Sequence, residues 1–216
     1  MWARELPGKD VTTAFVERIA DAAPEDQARL IDALADRGDK AAGEAVVAQA
    51  TSEHEAVRVA AIEALGVLGK AKAVDVLVDA AANEHGELQR AARKSLTLLS
   101  ARGVDQALIE LARRGDLKSR VEAIQILTER RSERAKPTLM KLAGRRHAPV
   151  REASLNALEV LADTPDLDAL CEMLGQARDG EHRNQLVHPI NTVRQRPYAI
   201  AAVYGRVAAI EAPEVR

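Results

Sequence analysis

A chain of 216 residues with a formal net charge of −2, a single cysteine and 2% aromatic residues excludes several classes of protein at the outset. Cys171 alone cannot form an intrachain disulfide, and no stretch reaches the roughly 18 uninterrupted apolar residues of a membrane span. With so few rings the core must be built from Ala, Leu, Val and Ile, and neither base-stacking platforms nor deep cofactor pockets have the aromatic side chains they lean on.

The opening MWARELPGKD carries no apolar run and does not read as a signal peptide, so a cytoplasmic setting is expected. The first predicted element is an amphipathic helix from Val11 to Ala22, with Asp10 placed as its N-cap. After it comes a series of self-similar segments. DQARLIDAL (26–34), VRVAAIEAL (57–65), LQRAARKSL (88–96), SRVEAIQIL (119–127) and VREASLNAL (150–158) each start 31 residues after the last. One leucine marks every copy: Leu34, Leu65, Leu96, Leu127 and Leu158. A fixed period of this size means stacked units that bury their apolar faces against their neighbours.

Each unit predicts two helices. Glu55–Leu68 places Val57, Ala61, Leu65 and Leu68 at helical spacing, and Ala71–Ala82 does the same with Val74, Leu77, Val78 and Ala81. Gly69-Lys70 supplies the turn between them. The predicted units are a half repeat at 10–22, repeats at 22–52, 53–83, 84–114, 115–145 and 146–176, and a degenerate repeat at 177–210. Val11–Ala22 is the second helix of the half repeat, because Phe15, Val16 and Ile19 fall one period before Val46, Val47 and Ala50. Pro24, Pro149 and Pro213 sit where first helices begin, and Pro137, Pro165 and Pro197 where second helices begin, positions that tolerate a missing N–H. Pro189 falls inside the first helix of the degenerate repeat, which should kink or stop there. APEVR at 212–216 echoes APVR at 148–151. A chain that opens on a half unit and closes as another begins is expected to be a piece of a longer array. The fold class is therefore all-α: a single α-solenoid of antiparallel helix pairs over residues 1–216.

The pattern Val-Arg-x-x-Ala-x-x-Ala-Leu, carried best by Val57, Arg58, Ala61, Ala64 and Leu65, resembles the HEAT-repeat family in its short variety of about 30 residues per unit. The likeness covers residues 10–176 well and 177–216 poorly. It implies a right-handed superhelix whose second helices line a concave face. It leaves function open, since short HEAT arrays include scaffolds, phycobilin lyases, an iron-dependent hydroxylase and DNA glycosylases.

Register turns single residues into rows, and each row has a functional and a plainer reading. Arg58, Arg120 and Arg151, with Gln27 and Gln89 completing the row, form either a phosphate-binding stripe or a polar ladder to loop carbonyls of the next repeat. His54, His85 and His147, with Asp116 in the gap, resemble metal ligands. Equivalent positions on packed helices lie about 10 Å apart, whereas ligands stand within roughly 2.2 Å of one ion. They are instead expected to be exposed in the loop before each first helix, and no metal or cofactor is expected. His54-Glu55 does not match the His-Glu pairs of the hydroxylase branch, where Val59 and Ala60 stand instead. Cys171 joins the row Val47, Val78, Ile109, Met140 and reads as a buried filler. Gly66-Val-Leu-Gly69-Lys70 has the wrong spacing for a phosphate loop. The aromatics Trp2, Phe15, Tyr198 and Tyr204 stand at the two ends of the chain, which argues against lesion recognition.

Charge offers the remaining signal. On the second helices one row reads Glu44, Asp75, Gln106, Pro137, Asp168, and the next, a turn on, Ala48, Asp79, Glu110, Lys141, Glu172. The helix dipole accounts for acids in the first row but not the second. These rows are either ordinary solvated surface or a face seeking a basic partner through Glu44, Asp75, Asp79, Glu110, Asp168 and Glu172. Residues 113–151 carry 12 basic and 4 acidic side chains, whereas residues 1–86 carry 9 basic and 16 acidic. Arg113, Arg114, Arg130, Arg131, Arg134, Arg145 and Arg146 mark a basic edge that could meet nucleic acid. The expected function is a non-catalytic scaffold that binds a protein partner on its second helices. The alternatives are nucleic-acid binding at the basic edge and a chromophore-lyase-like protein, the last resting on the family resemblance.

Overall fold

The structure, a computed structural model, describes residues 9–177 and 180–196. Trp2, Pro197, Tyr198, Tyr204, Pro213 and the second helix of the degenerate repeat lie outside the described residues. Among those described, twelve α-helices and no strand are present: α1 (Lys9–Asp21), α2 (Pro24–Arg37), α3 (Gly43–Gln49), α4 (Glu55–Leu68), α5 (Val74–Asn83), α6 (Gly86–Leu98), α7 (Val104–Arg114), α8 (Leu117–Glu129), α9 (Lys136–Ala143), α10 (Ala148–Leu161), α11 (Leu167–Gln176) and α12 (Gly180–Arg194).

The five first helices start at Pro24, Glu55, Gly86, Leu117 and Ala148, at the sequence period of 31 residues. The second helices start a few residues later than their patterns suggest. A single tight turn precedes four of them, at Lys40–Ala42, Ala71–Ala73, Glu133–Ala135 and Thr164–Asp166. Ala42, Ala73 and Ala135 close three of these turns and are fully buried, so only a small side chain fits there. In the third repeat Gly103, at φ +88°, makes the corresponding turn. Its left-handed backbone is one a Cβ would strain.

The chain forms two compact units, Met1–Arg130 and Arg131–Arg216, divided between the two helices of the fourth repeat. In the first unit α2, α4, α6 and α8 pack in succession as one layer, while α3, α5 and α7 pack across onto α4, α6 and α8. In the second unit α9 packs on α10, and α10 and α11 both pack on α12. The marker leucines Leu34, Leu65, Leu96, Leu127 and Leu158 are all 0% exposed. Each contributes roughly 1.5–3 kcal/mol by leaving water. Small residues set the closest approach: a Cβ on Gly66 would meet the Ser95 hydroxyl at 3.0 Å, and one on Gly43 the Leu68 carbonyl at 2.7 Å.

Three expectations are corrected. Asp10 lies within the first turn of α1, which begins at Lys9, so it is not the N-cap. Of the kink or stop expected at Pro189, the stop does not occur: helix α12 runs through it to Arg194. Leu186, Pro189 and Val193 share its buried face, and packing against α10 and α11 outweighs the local cost of one lost backbone bond. Cys171 is exposed rather than a core filler. The core position of α11 is its neighbour Leu170, 0% exposed, in register with the buried Val46, Leu77, Leu108 and Leu139. The row of Cys171 flanks that line.

Candidate functional site

The Arg/Gln row is a ladder. Gln27 Nε2 donates to the Ile19 carbonyl (3.0 Å), Gln89 Nε2 to Ala81 (3.0 Å) and Arg120 Nε to Ala112 (3.0 Å). Each reaches back eight residues to the last turn of a second helix, where carbonyls lack intrahelical partners. Arg58 Nη1 uses the Ser52 and Glu53 carbonyls at 2.9 and 3.2 Å. The targets lie in the preceding repeat or, for Glu53, in the loop that joins it to α4, not in the next repeat as expected, because the N-terminal turn of a first helix abuts the end of the helix before it. In the second unit Arg151, 6% exposed, turns forward instead, donating from Nε to Gln185 Oε1 at 3.0 Å.

His54, His85, Asp116 and His147 are the N-cap residues of α4, α6, α8 and α10, and all four are exposed. Asp116 alone caps with its side chain, accepting from the Lys118 and Ser119 backbone N–H groups at 3.0 and 3.1 Å. The Ser119 hydroxyl and these N–H groups hold its carboxyl below the ordinary carboxylate range. Among the described residues no cluster of three or more His, Cys, Asp and Glu has metal-binding geometry.

Of the acidic rows, Glu44, Asp75, Asp79, Asp168 and Glu172 are exposed on their second helices, while Glu110 is half-buried. Glu44 meets Lys72 Nζ only at 3.5 Å. Asp79 accepts from Asn83 at 2.8 Å, and Glu172 from Gln176 at 3.1 Å. Glu110 is committed to Arg113 at 2.8 Å and Arg114 at 3.7 Å. Glu44, Asp75, Asp79 and Glu110 belong to the first unit, Asp168 and Glu172 to the second.

The basic edge is not one edge. Arg113 and Arg114 end α7 just before α8, and Arg130 follows α8. The 13 residues of α8 hold those groups about 20 Å apart at 1.5 Å per residue. Arg131 and Arg134 precede α9, whereas Arg145 and Arg146 follow it, again at opposite ends of a helix. All four are exposed. Arg130 is consumed inside the first unit: Nη1 donates to the Leu96, Thr97 and Leu99 carbonyls at 2.7, 3.1 and 2.9 Å, and Nε to Asp105 at 2.9 Å. It neutralises the C-terminal end of α6. Its row contains the buried Leu68, Leu99 and Leu161, a signal in the sequence that the run Arg130-Arg131 obscured.

Two features escaped sequence reasoning. Arg93 pairs bidentately with Glu122 across α6 and α8, at 2.7 and 2.8 Å. Arg93 replaces the isoleucine of Ile31, Ile62 and Ile124, and Glu122 the alanine of Ala60, Ala91 and Ala153. The second is a groove of about 650 Å³ on the outer face of the first helices. Ala28 and Asp32 of α2, Ala56, Val59 and Glu63 of α4, and Glu87 of α6 line it. Burial, then the carboxylates of Glu63 and Asp36, push the Asp32 carboxyl above its ordinary value. The signal for this groove was the 31-residue pairing of Asp32 with Glu63.

This register of helix pairs defines a class of stacked-helix repeat protein. The family model for HEAT repeats matches residues 12–97 and 105–189, and the chain belongs to the HEAT-repeat family. No curated protein matches the chain. Similar solved structures include human deoxyhypusine hydroxylase in complex with glycerol, at 17% identity, covering 90% of this chain and 88% of that one with a TM-score of 0.43. The complex of CpcE and CpcF of phycocyanin lyase from Nostoc sp. PCC7120 is 23% identical, covering 76% and 70% with a TM-score of 0.44. An archaeal HEAT-like repeats protein from Thermococcus onnurineus NA1 is 18% identical, covering 98% and 92% with a TM-score of 0.39. No described helix is long and apolar enough to cross a membrane.

Proposed function

We propose that this chain is a non-catalytic scaffold that captures a basic protein partner on the second helices of its first unit. The observation that carries the reading is the set Glu44, Asp75 and Asp79. These carboxylates stand exposed on α3 and α5, and Lys72, which meets Glu44, is 85% exposed at its side chain. So loose an exposed pair contributes little, which leaves the carboxylates available to steer and hold a cationic surface. Glu110 drops out of the set because Arg113 and Arg114 already neutralise it. Asp168 and Glu172 would serve the second unit in the same way.

The test uses a partner recovered by crosslinking and then purified. The variant Asp75→Lys/Asp79→Lys should weaken its affinity roughly tenfold or more, mainly through slower association at low salt, with the helical circular dichroism unchanged. Unchanged affinity overturns this assignment. The nucleic-acid reading predicts a gel shift with DNA or RNA at low salt that fades steeply as salt rises. The division of its arginines between opposite helix ends weighs against it.

A further inference from the structure

We propose that the outer groove of α2, α4 and α6 is a second docking site, which receives a basic amphipathic helix from a partner protein. The groove lies on first helices, so the reading is independent of the second-helix face. Carboxylates alone would be an ordinary solvated surface, and here the cleft and its floor set them apart. Ala28, Ala56 and Val59 give that floor no charge and little bulk, and no lining residue is basic. One turn beyond Glu63 on the same line of α4, Val67 stands 51% exposed. Its register mate on α6, Leu98, is 59% exposed. Both stand beyond the lining of the groove, toward the C-terminal ends of α4 and α6, and on α6 the exposed Lys94 lies between Glu87 and Leu98.

The charge pattern names the occupant. Asp32 comes from α2, Glu55 and Glu63 from α4 and Glu87 from α6, so carboxylates stand on both sides of Val59. Burial first, and then the like charges of Glu63 and Asp36, disfavour the Asp32 carboxylate, and a cation seated between the lining residues Asp32 and Glu63 would relieve the repulsive part. Among the described residues no strand offers an edge to an extended peptide, and the lining holds no aromatic ring for a polyproline segment, so the helix-in-groove mode fits best. Leucines at i, i+3 and i+11 of an incoming helix laid along α4 would match the spacing of Ala56, Val59 and Val67, with Lys or Arg flanking them toward Asp32, Glu63 and Glu87.

The test uses a synthetic peptide of about 18 residues, long enough to hold a helix, with leucines on one face and lysines on the other, followed by fluorescence anisotropy. Asp32→Lys/Glu63→Lys should weaken binding roughly tenfold, and the near-isosteric Asp32→Asn/Glu63→Gln should weaken it less but measurably. Val59→Ser should weaken it several-fold without changing its salt dependence. Amide exchange over residues 55–68 should slow in the complex. Asp75→Lys/Asp79→Lys should bind the peptide as the unaltered protein does, so loss here and loss of the second-helix partner are read separately. Equal binding by the unaltered protein and Asp32→Asn/Glu63→Gln overturns the proposal. So does an equal loss from both lysine pairs, which would mean attraction to net charge rather than to the groove.

Discussion

At the residue scale, the bonded pair Arg93–Glu122 is the clearest departure from the repeat, and it explains itself as a pair. Glu122 is 4% exposed, and Arg93 supplies both of its hydrogen bonds. A buried pair of this kind adds little against well-packed apolar side chains, but removing one partner strands the other. Arg93→Ile alone should cost about 3 kcal/mol, at the lower end of the range for a broken buried pair, because the guanidinium is partly exposed. Arg93→Ile/Glu122→Ala restores the side chains of the neighbouring repeats. It should match or exceed the starting stability in urea denaturation, and a single variant as stable as the double would show that the two residues do not act together. The sequence contained this pair as two breaks in register, Arg among isoleucines and Glu among alanines. Neither break identifies its partner until α6 and α8 are packed.

Helix ends set the scale of the element. His54, His85 and His147 occupy N-cap positions without forming a side-chain cap, whereas Asp116 forms one. His147→Asp should therefore stabilise α10 by about 1 kcal/mol, the usual worth of a cap, seen as a higher melting temperature at neutral pH. The sign with pH follows from Asp116, whose folded carboxyl lies below the ordinary 3.8. Such a group stabilises above its unfolded pKa and loses that contribution as pH falls through its lowered folded value. Measured against His147→Ala, which has no titrating side chain at this position, the gain in His147→Asp should shrink in acid, and a gain that stayed undiminished at low pH would not come from a charged cap. Helix existence and periodicity were legible, to the residue for Glu55–Leu68. Helix ends were less so. The start of α1, the tight turns before the second helices and the passage of α12 through Pro189 depend on what each end packs against. Arg131 shows the same limit: it adopts φ +50° at the position where the first repeat has Gly38.

At the scale of the whole molecule, the two compact units make a specific expectation about unfolding. Stability in a repeat protein is a sum of unit and nearest-neighbour terms. Leu65→Ala and Leu158→Ala remove equivalent fully buried leucines, one from each unit, and each should cost about 3 kcal/mol. Amide exchange should quicken mainly over residues 24–130 in the first variant and over 136–194 in the second. Equal acceleration throughout both variants would mean one cooperative body.

The sequence by itself determined the family, the period, the first helices and the leucine line, because each depends on short-range apolar spacing repeated five times. It also placed His54, His85 and His147 as exposed residues ahead of the first helices, where they stand as N-cap residues. Only the tertiary structure decided which charges are engaged within the fold. Arg130, Glu110 and the Arg/Gln ladder are spent on helix ends and neighbouring side chains, Cys171 falls outside the core line, and the seven arginines divide between opposite helix ends. The groove likewise exists only once α2, α4 and α6 lie side by side. A side chain's availability depends on groups distant in sequence, and a period fixes which positions are equivalent without fixing what each one touches.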